Sequence, residues 1–215
     1  MFKNVTGIIL SGGNSSRMSK DKALLKIGNK TIIESVCDQM QKIFKDVVVI
    51  TNTPDEYKFL DIPIYEDIYK HQGPLAGIQS GMLNSKTNTN FIISCDLPLI
   101  TKELIQYLVE FKTTKLITVG KASGYVQQLA GIYQKECLVT AENILIESIH
   151  LQNKNTLREK RDFSVLRLIN LIGAEIISAE SLPFYKEDMY FNMNSVADYN
   201  LLVKKISSVK SVNVH

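Results

Sequence analysis

The chain has 215 residues, 45% hydrophobic and 22% charged, with a net charge of +3. That length and balance suit one folded domain with a sizeable core. So small a positive excess gives no ground for nucleic acid or an anionic membrane as the main partner. Three widely separated cysteines, Cys37, Cys95 and Cys137, form no CxxC pair. They read as reduced thiols rather than a disulfide framework or a zinc site. No apolar run reaches membrane-spanning length and the N-terminus lacks a secretory pattern, so a cytoplasmic protein is expected.

In chain order, VTGIIL (5–10) predicts a buried strand and TIIESVCDQMQKIF (31–44) a helix. DVVVIT (46–51) and IPIY (62–65) predict strands. GPLAGIQSGMLNS (73–85) predicts a helix with Pro74 in its first turn, where the missing N–H costs nothing. NFIISC (90–95) predicts a strand, TKELIQYLVEF (101–111) a helix capped by threonine, and KLITVG (115–120) another strand. The second part is less regular. YVQQLAGIY (125–133) reads as a strand, KECLVTAENILIESIH (135–150) as a helix and the polar 151–162 as a loop. FSVLRLINLIG (163–173) reads as a helix and AEIISA (174–179) as a strand. MYFNMNSVADYNLLVKKI (189–206) starts extended and becomes a helix capped at Asn194 or Ser195, with a frayed tail beyond. Strands that are apolar throughout, alternating with helices, predict an α/β fold: a mostly parallel sheet with helices on both faces.

In such a sheet ligands sit beyond the carboxyl ends of the strands. LSGGNSSRMSKDK (10–22) lies there, directly after the first strand. Gly12 and Gly13 permit positive φ and close backbone approach to an anion, while Arg17, Lys20 and Lys22 add positive charge. Neither the P-loop nor the dinucleotide fingerprint fits, because Arg17 or Met18 stands where the P-loop needs its second glycine and Asn14 interrupts GxGxxG. Composition does not separate a phosphate cradle from a solvated turn.

Asp96 in SCDLP (94–98) ends another strand. It suits a magnesium ligand, since magnesium takes one or two carboxylates and completes its shell with water and phosphate oxygens; capping of the helix near Thr101 is the alternative. Glu66 and Asp67 follow IPIY, and Glu66 reads as a solvent-facing turn residue. The glycines of GPLAG either admit a flat base or serve helix packing. Asn52 ends the second strand as a turn residue or a ligand contact. Asn192 and Asn194 alternate with Met193 and share one face if extended. No triad is evident. The three histidines lack metal-ligand spacing, and each reads as a surface or hydrogen-bonded residue. Cys95 reads as a buried structural thiol. A cationic loop and a carboxylate on one sheet edge are the minimum apparatus for nucleoside triphosphate chemistry.

LSGGNSSRMSKDKALL resembles the LAGGxSxRMGxDKaLL signature of nucleotidyltransferases. GPLAG, SCDLP and FNMNS follow in matching order across about residues 5–203, as in molybdenum cofactor guanylyltransferases. The resemblance implies a Rossmann-like nucleotidyltransferase fold in a single domain, 1–215, with a nucleotide-binding part over about 1–120 and a cofactor-side part over about 121–215. It implies GMP transfer from GTP to molybdopterin with Mg2+ as cofactor. It further implies nucleotide contacts from Leu10, Ser11, Gly12, Gly13, Lys22, Asn52, Asp67 and Asp96, with Asp96 the metal ligand. Lys22, Asp96 and Arg17 would be catalytic. Arg17, Asn192 and Asn194 would face the pterin substrate.

Molybdopterin-handling proteins and molybdoenzymes are the expected partners of a monomer that binds neither nucleic acid nor membrane. Departures are Ser11 for alanine, Ser19 for glycine and Gln128 for a common proline. Competing expectations are a cytidylyltransferase, a sugar-phosphate nucleotidyltransferase or a non-catalytic nucleotide- or cofactor-binding adaptor. Gly12 and Pro74 favour guanylyl transfer by family pattern.

Overall fold

The structure is a computed structural model and describes residues 1–12, 21–153 and 164–212. The first apolar run forms β1 (Phe2–Leu10), buried continuously from Val5. A small antiparallel hairpin follows, β2 (Lys26–Ile27) and β3 (Lys30–Thr31), turning through Gly28 at φ 64°. Two-residue strands are too short to leave a periodic signal, so the hairpin is not legible in the sequence. Helix α1 (Ile32–Ile43) opens with a capping box in which Thr31 and Glu34 satisfy each other's backbone N–H groups. β4 (Phe44–Ile50), β5 (Ile64–Tyr65), α2 (Pro74–Asn84) and β6 (Thr89–Ser94) come next.

Then follow α3 (Lys102–Glu110), β7 (Ile117–Ala122), β8 (Tyr125–Gln134), α4 (Leu138–Asn153), α5 (Val165–Ile172), β9 (Glu175–Ser178) and α6 (Val196–Val212). The sheet order is β5-β4-β1-β6-β8-β7-β9. β4, β1 and β6 run parallel, as do β5 with β4 and β9 with β7. β8 alone is reversed, pairing antiparallel with both neighbours. It returns from β7 through a two-residue turn, Ser123 and Gly124, both at positive φ. That geometry matches the twist of paired strands.

The apolar strands divide their side chains between two faces. Ile9, Val49, Phe91 and Ile93 pack with Ile33, Val36 and Met40 of α1 and Leu104 and Leu108 of α3. Ile8, Val48, Ile50 and Ile92 pack with Leu75, Ile78 and Met82 of α2, with α4 and α5 alongside. Neighbours such as Ile8 and Ile9 point to opposite sides because strand side chains alternate. Burial on both sides explains why these strands are apolar throughout rather than alternating. Each such side chain contributes about 1.5–3 kcal/mol of hydrophobic stabilisation.

A third cluster joins Ile32, Met193 and Leu202, with Leu25, Ile27 and Tyr199 packed against it. It seats α6 on the β2–β3 hairpin, where Tyr199 Oη donates to the Lys26 carbonyl at 2.6 Å. Most element boundaries shift by one to three residues from expectation: β1 starts at Phe2, β4 takes in Phe44, β7 runs Ile117–Ala122 and α4 starts at Leu138. Two shifts extend helices. α4 continues through residues 151–153, where a loop is expected, and α6 runs to Val212, where fraying is expected. Once a helix is nucleated, each further residue gains one hydrogen bond for its own ordering cost and does not repay the cost of nucleation. The rest of 151–162 and residues 213–215 lie outside the described residues.

Candidate active site at the carboxyl edge of the sheet

The sheet order lines up the loops that carry the candidate residues. Asp67 follows β5, Asn52 follows β4, Ser11 and Gly12 follow β1, and Asp96 follows β6. Beside them opens a cavity of about 480 Å³ lined by Leu10, Ser11, Gly12, Asn52 and Asp67, with Gly73, Pro74 and Gly77 from the start of α2. Asp21, Ile50, Thr51, Thr53, Glu56, His71, Ser94 and Leu129 complete its wall, and sequence reasoning does not select them as site residues. His71 is exposed, as a surface histidine would be, yet it faces this cavity, with φ at 64°. No spacing rule brings a residue from an irregular turn to a cavity wall.

Each wall is held locally. Ser11 N–H donates to the Ile50 carbonyl at 2.8 Å, extending the β1–β4 pairing past the strand end. Gly12 sits at φ 138°, which L side chains rarely adopt, so the glycine is required by conformation. Asn52 Nδ2 donates to Asp67 Oδ2 at 2.8 Å, while Asn52 Oδ1 is buried without a partner. The Ile68 N–H donates to Ser80 Oγ at 2.9 Å and ties the Asp67 loop to α2. Burial pushes the Asp67 carboxyl above the ordinary range, against the opposing pull of Asn52 and His71. A Cβ on Gly77 would stand 3.2 Å from Leu10 and 3.5 Å from Asp67. The glycine therefore lets α2 pack against the site. Glu66 is exposed and ion-paired to Lys70 at 2.6 Å, as its solvent-facing reading expects.

Asp96 is not a helix cap. Thr101 caps α3, accepting from the Leu104 N–H at 3.3 Å. Asp96 Oδ1 is buried with no hydrogen-bond partner. Burial raises its carboxyl above the ordinary aspartate value, while Ser94 and the charge of Lys22 pull the other way. A buried, orphaned carboxylate oxygen is costly unless something satisfies it. Among the described residues no group of three or more His, Cys, Asp or Glu side chains could hold a metal. One carboxylate with water and phosphate oxygens suffices for magnesium, so the donor set fits that ion.

FNMNS reaches the same place from the C-terminal part. Met193 N–H donates to the Asp96 carbonyl at 2.9 Å. Met193 is buried, and Asn192 and Asn194 are exposed on either side of it, so the alternation read in the sequence is realised. Asp198 closes the α6 cap by accepting from the N–H groups of Asn194 and Ser195 and from Ser195 Oγ, at 2.7–2.9 Å. Lys22 acts electrostatically on both Asp96 and Asp198. Cys95 is buried beneath, its thiol pushed up to about 12 by burial, in keeping with a structural role. Gly13, Arg17, Ser19 and Lys20 lie outside the described residues. No helix among the described residues is long and apolar enough to cross a membrane.

Comparisons with known proteins identify the family and the fold. Residues 7–161 match the model of the MobA-like NTP transferase domain. A probable molybdenum cofactor guanylyltransferase of Carboxydothermus hydrogenoformans is 35% identical over 208 residues, covering 96% of this chain and 98% of that protein. One from Clostridium perfringens strain 13 is 32% identical, covering 92% and 95%. Among solved structures, molybdopterin-guanine dinucleotide biosynthesis protein A from Archaeoglobus fulgidus superposes with a TM-score of 0.78 at 16% identity, covering 94% and 99%. The 4-diphosphocytidyl-2C-methyl-D-erythritol synthase of Anaerococcus prevotii shares the fold at a TM-score of 0.68 and 11% identity, covering 95% and 96%. The chain belongs to the MobA-like NTP transferase family.

Proposed function

We propose that this protein transfers GMP from GTP to the molybdopterin form of the molybdenum cofactor, releasing pyrophosphate. The observation that carries the reading is the order Asp67, Asn52, Ser11–Gly12, Asp96 along one sheet edge, beside a cavity of about 480 Å³. The relatives named as guanylyltransferases, matched over nearly their whole length, support it.

In this reading the nucleoside lies toward Asn52 and Asp67 and the phosphates lie toward Lys22 and Asp96. The orphaned Asn52 Oδ1 and the Asp67 carboxylate present acceptors to the nucleoside. A terminal phosphate oxygen of molybdopterin attacks the α-phosphorus of GTP in line. The new O–Pα bond forms as the bond from Pα to the bridging oxygen breaks, and pyrophosphate carries that oxygen away. A phosphate nucleophile is already anionic near neutral pH, so the chain needs no strong general base.

Its residues supply position and charge, as in other phosphoryl-type transfers. Lys22 offsets charge on the phosphates; a unit charge pair at 4 Å gains about 4 kcal/mol at a surface-like effective dielectric. Asp96 would hold Mg2+, which when bound neutralises phosphate charge and polarises the reacting phosphoryl group. Asn192, Asn194 and Arg17 are assigned to the pterin side.

The test is turnover with purified molybdopterin cofactor, magnesium and either GTP or CTP, following pyrophosphate release. Guanine dinucleotide formation with GTP preferred is the expected result. Preference for CTP overturns the guanylyl assignment, and nucleotide binding without pyrophosphate release points to an adaptor.

A further inference from the structure

A polar chain runs from the cavity wall at Ser11 and Asp21 into the core at Tyr57. Ser11, 2% exposed, donates from Oγ to Tyr57 Oη at 2.8 Å. Tyr57, with no exposed surface, donates from Oη to Asp21 Oδ2 at 2.5 Å. Asp21 uses its other oxygen, Oδ1, to accept from the Ala23 N–H at 3.0 Å, capping the single turn Lys22–Leu24. Three separate segments are joined: the end of β1, the turn Pro54–Tyr57 after β4, and the residue preceding Lys22.

Two ends of this chain are anchored in rigid structure. Ser11 is bonded to the sheet through its backbone, and the Tyr57 ring is packed in the core beside α1 and β4. The third end is Asp21, whose turn starts at Lys22. Buried polar groups are expensive unless satisfied, and here every donor has an acceptor in one direction, serine to tyrosine to aspartate. Burial, with Asp21 adding to it, pushes the Tyr57 hydroxyl up, so it remains a donor. An apolar side chain would fill the same space in the core. A hydroxyl aimed at Asp21 is needed only if the Lys22 turn must be fixed.

We propose that Tyr57 is a positioning residue: through Asp21 it fixes the Lys22 turn against the end of β1, so that the Lys22 ammonium meets the nucleotide phosphates. The proposal rests on the assignment of Lys22 to phosphate in the guanylyl-transfer reading. Tyr57 itself touches no substrate.

The experiment is a double-mutant cycle read by calorimetric titration of magnesium and GTP into the full chain, without the pterin substrate. Tyr57→Phe keeps the ring and removes the hydroxyl. It should weaken GTP binding by about 5- to 20-fold when Lys22 is present and by less than about 2-fold in the Lys22→Ala background, since residues acting through one group are non-additive. A purely structural tyrosine would cost the same in both backgrounds, and that result overturns the proposal. Unchanged GTP binding in Tyr57→Phe overturns it equally.

If Tyr57→Phe does not fold, Asp21→Asn is put through the same cycle, and the same outcomes support or overturn the proposal. That variant keeps an oxygen for the Ala23 cap and removes the acceptor for Tyr57. A wild-type chain that binds CTP more tightly than GTP refutes the guanylyl assignment alone, and the cycle is then read with CTP. One that binds neither nucleotide refutes both.

Discussion

Asp96→Ala separates what the fold wants from what the chemistry needs. Asp96 Oδ1 is buried without a hydrogen-bond partner. Leaving such a group unsatisfied costs about 1–3 kcal/mol, and more when it is charged. Truncation removes that penalty and also removes the favourable influence of Ser94 and Lys22 on the carboxylate, which offsets roughly 1 kcal/mol of the gain. The net is expected between zero and about 2 kcal/mol in favour of the variant, or up to roughly 4–8 °C in melting temperature for a domain of this size.

The pH dependence has a definite sign. Burial raises the folded-state pKa above the ordinary aspartate value of 3.8. The folded protein therefore holds the Asp96 proton at a pH where the unfolded chain has released it. Wild-type stability in chelator should fall, relative to the variant, as pH rises from about 4 through the raised value. Added magnesium should reverse the ranking. A ligand at one hundred times its Kd stabilises the fold by about 2.7 kcal/mol, and only wild type keeps the carboxylate. The assays are melting curves across pH in chelator, the same curves with magnesium, and pyrophosphate release. Near-normal turnover by the variant, or a melting temperature several degrees below wild type in chelator, would refute the reasoning.

Two further substitutions probe the packing and the nucleoside side. A Cβ at Gly81 would lie 2.5 Å from Ile8 Cγ2 in the core between α2 and β1. Gly81→Ala should therefore destabilise by about 1–3 kcal/mol, seen as a lowered denaturation midpoint in urea, and an unchanged midpoint would contradict the close α2 seat. Asp67→Asn should leave stability level or slightly raised, because burial already disfavours the charged form. Its affinity for GTP should drop about 10- to 100-fold through the lost charge-assisted hydrogen bond; titration showing equal affinity would remove Asp67 from the nucleotide site.

The strands and helices are legible because their signals are local. β-branched runs such as VVVI, the threonine before KELIQYL and the proline opening PLAGIQ act within a few residues. The pocket residues Ser11, Gly12, Asn52 and Asp67 are legible through their position after strands, which in a parallel sheet is the ligand side. The reversal of β8 escapes such a reading, although Ser123–Gly124 between two strands carries a hairpin signal. An apolar run does not reveal its direction when both faces are buried.

Other residues take their meaning from distant partners that the fold brings to them. In the sequence Ser11 is an added hydroxyl on a glycine-rich turn; the fold brings it to Tyr57, 46 positions away, and Tyr57 to Asp21, 36 positions away. Tyr57 itself carries no local mark, because a buried tyrosine in a core is ordinary until its hydroxyl finds a carboxylate. The sequence left open whether Asp96 caps α3; the structure gives that cap to Thr101 and leaves Asp96 Oδ1 without a hydrogen-bond partner. Sequence determined which elements form and which loops face the ligand edge, since both follow from short-range periodicity and strand order. The pairing of single polar atoms across that edge was decided by packing, because a hydrogen bond of 2.5–2.8 Å depends on where several elements come to rest together.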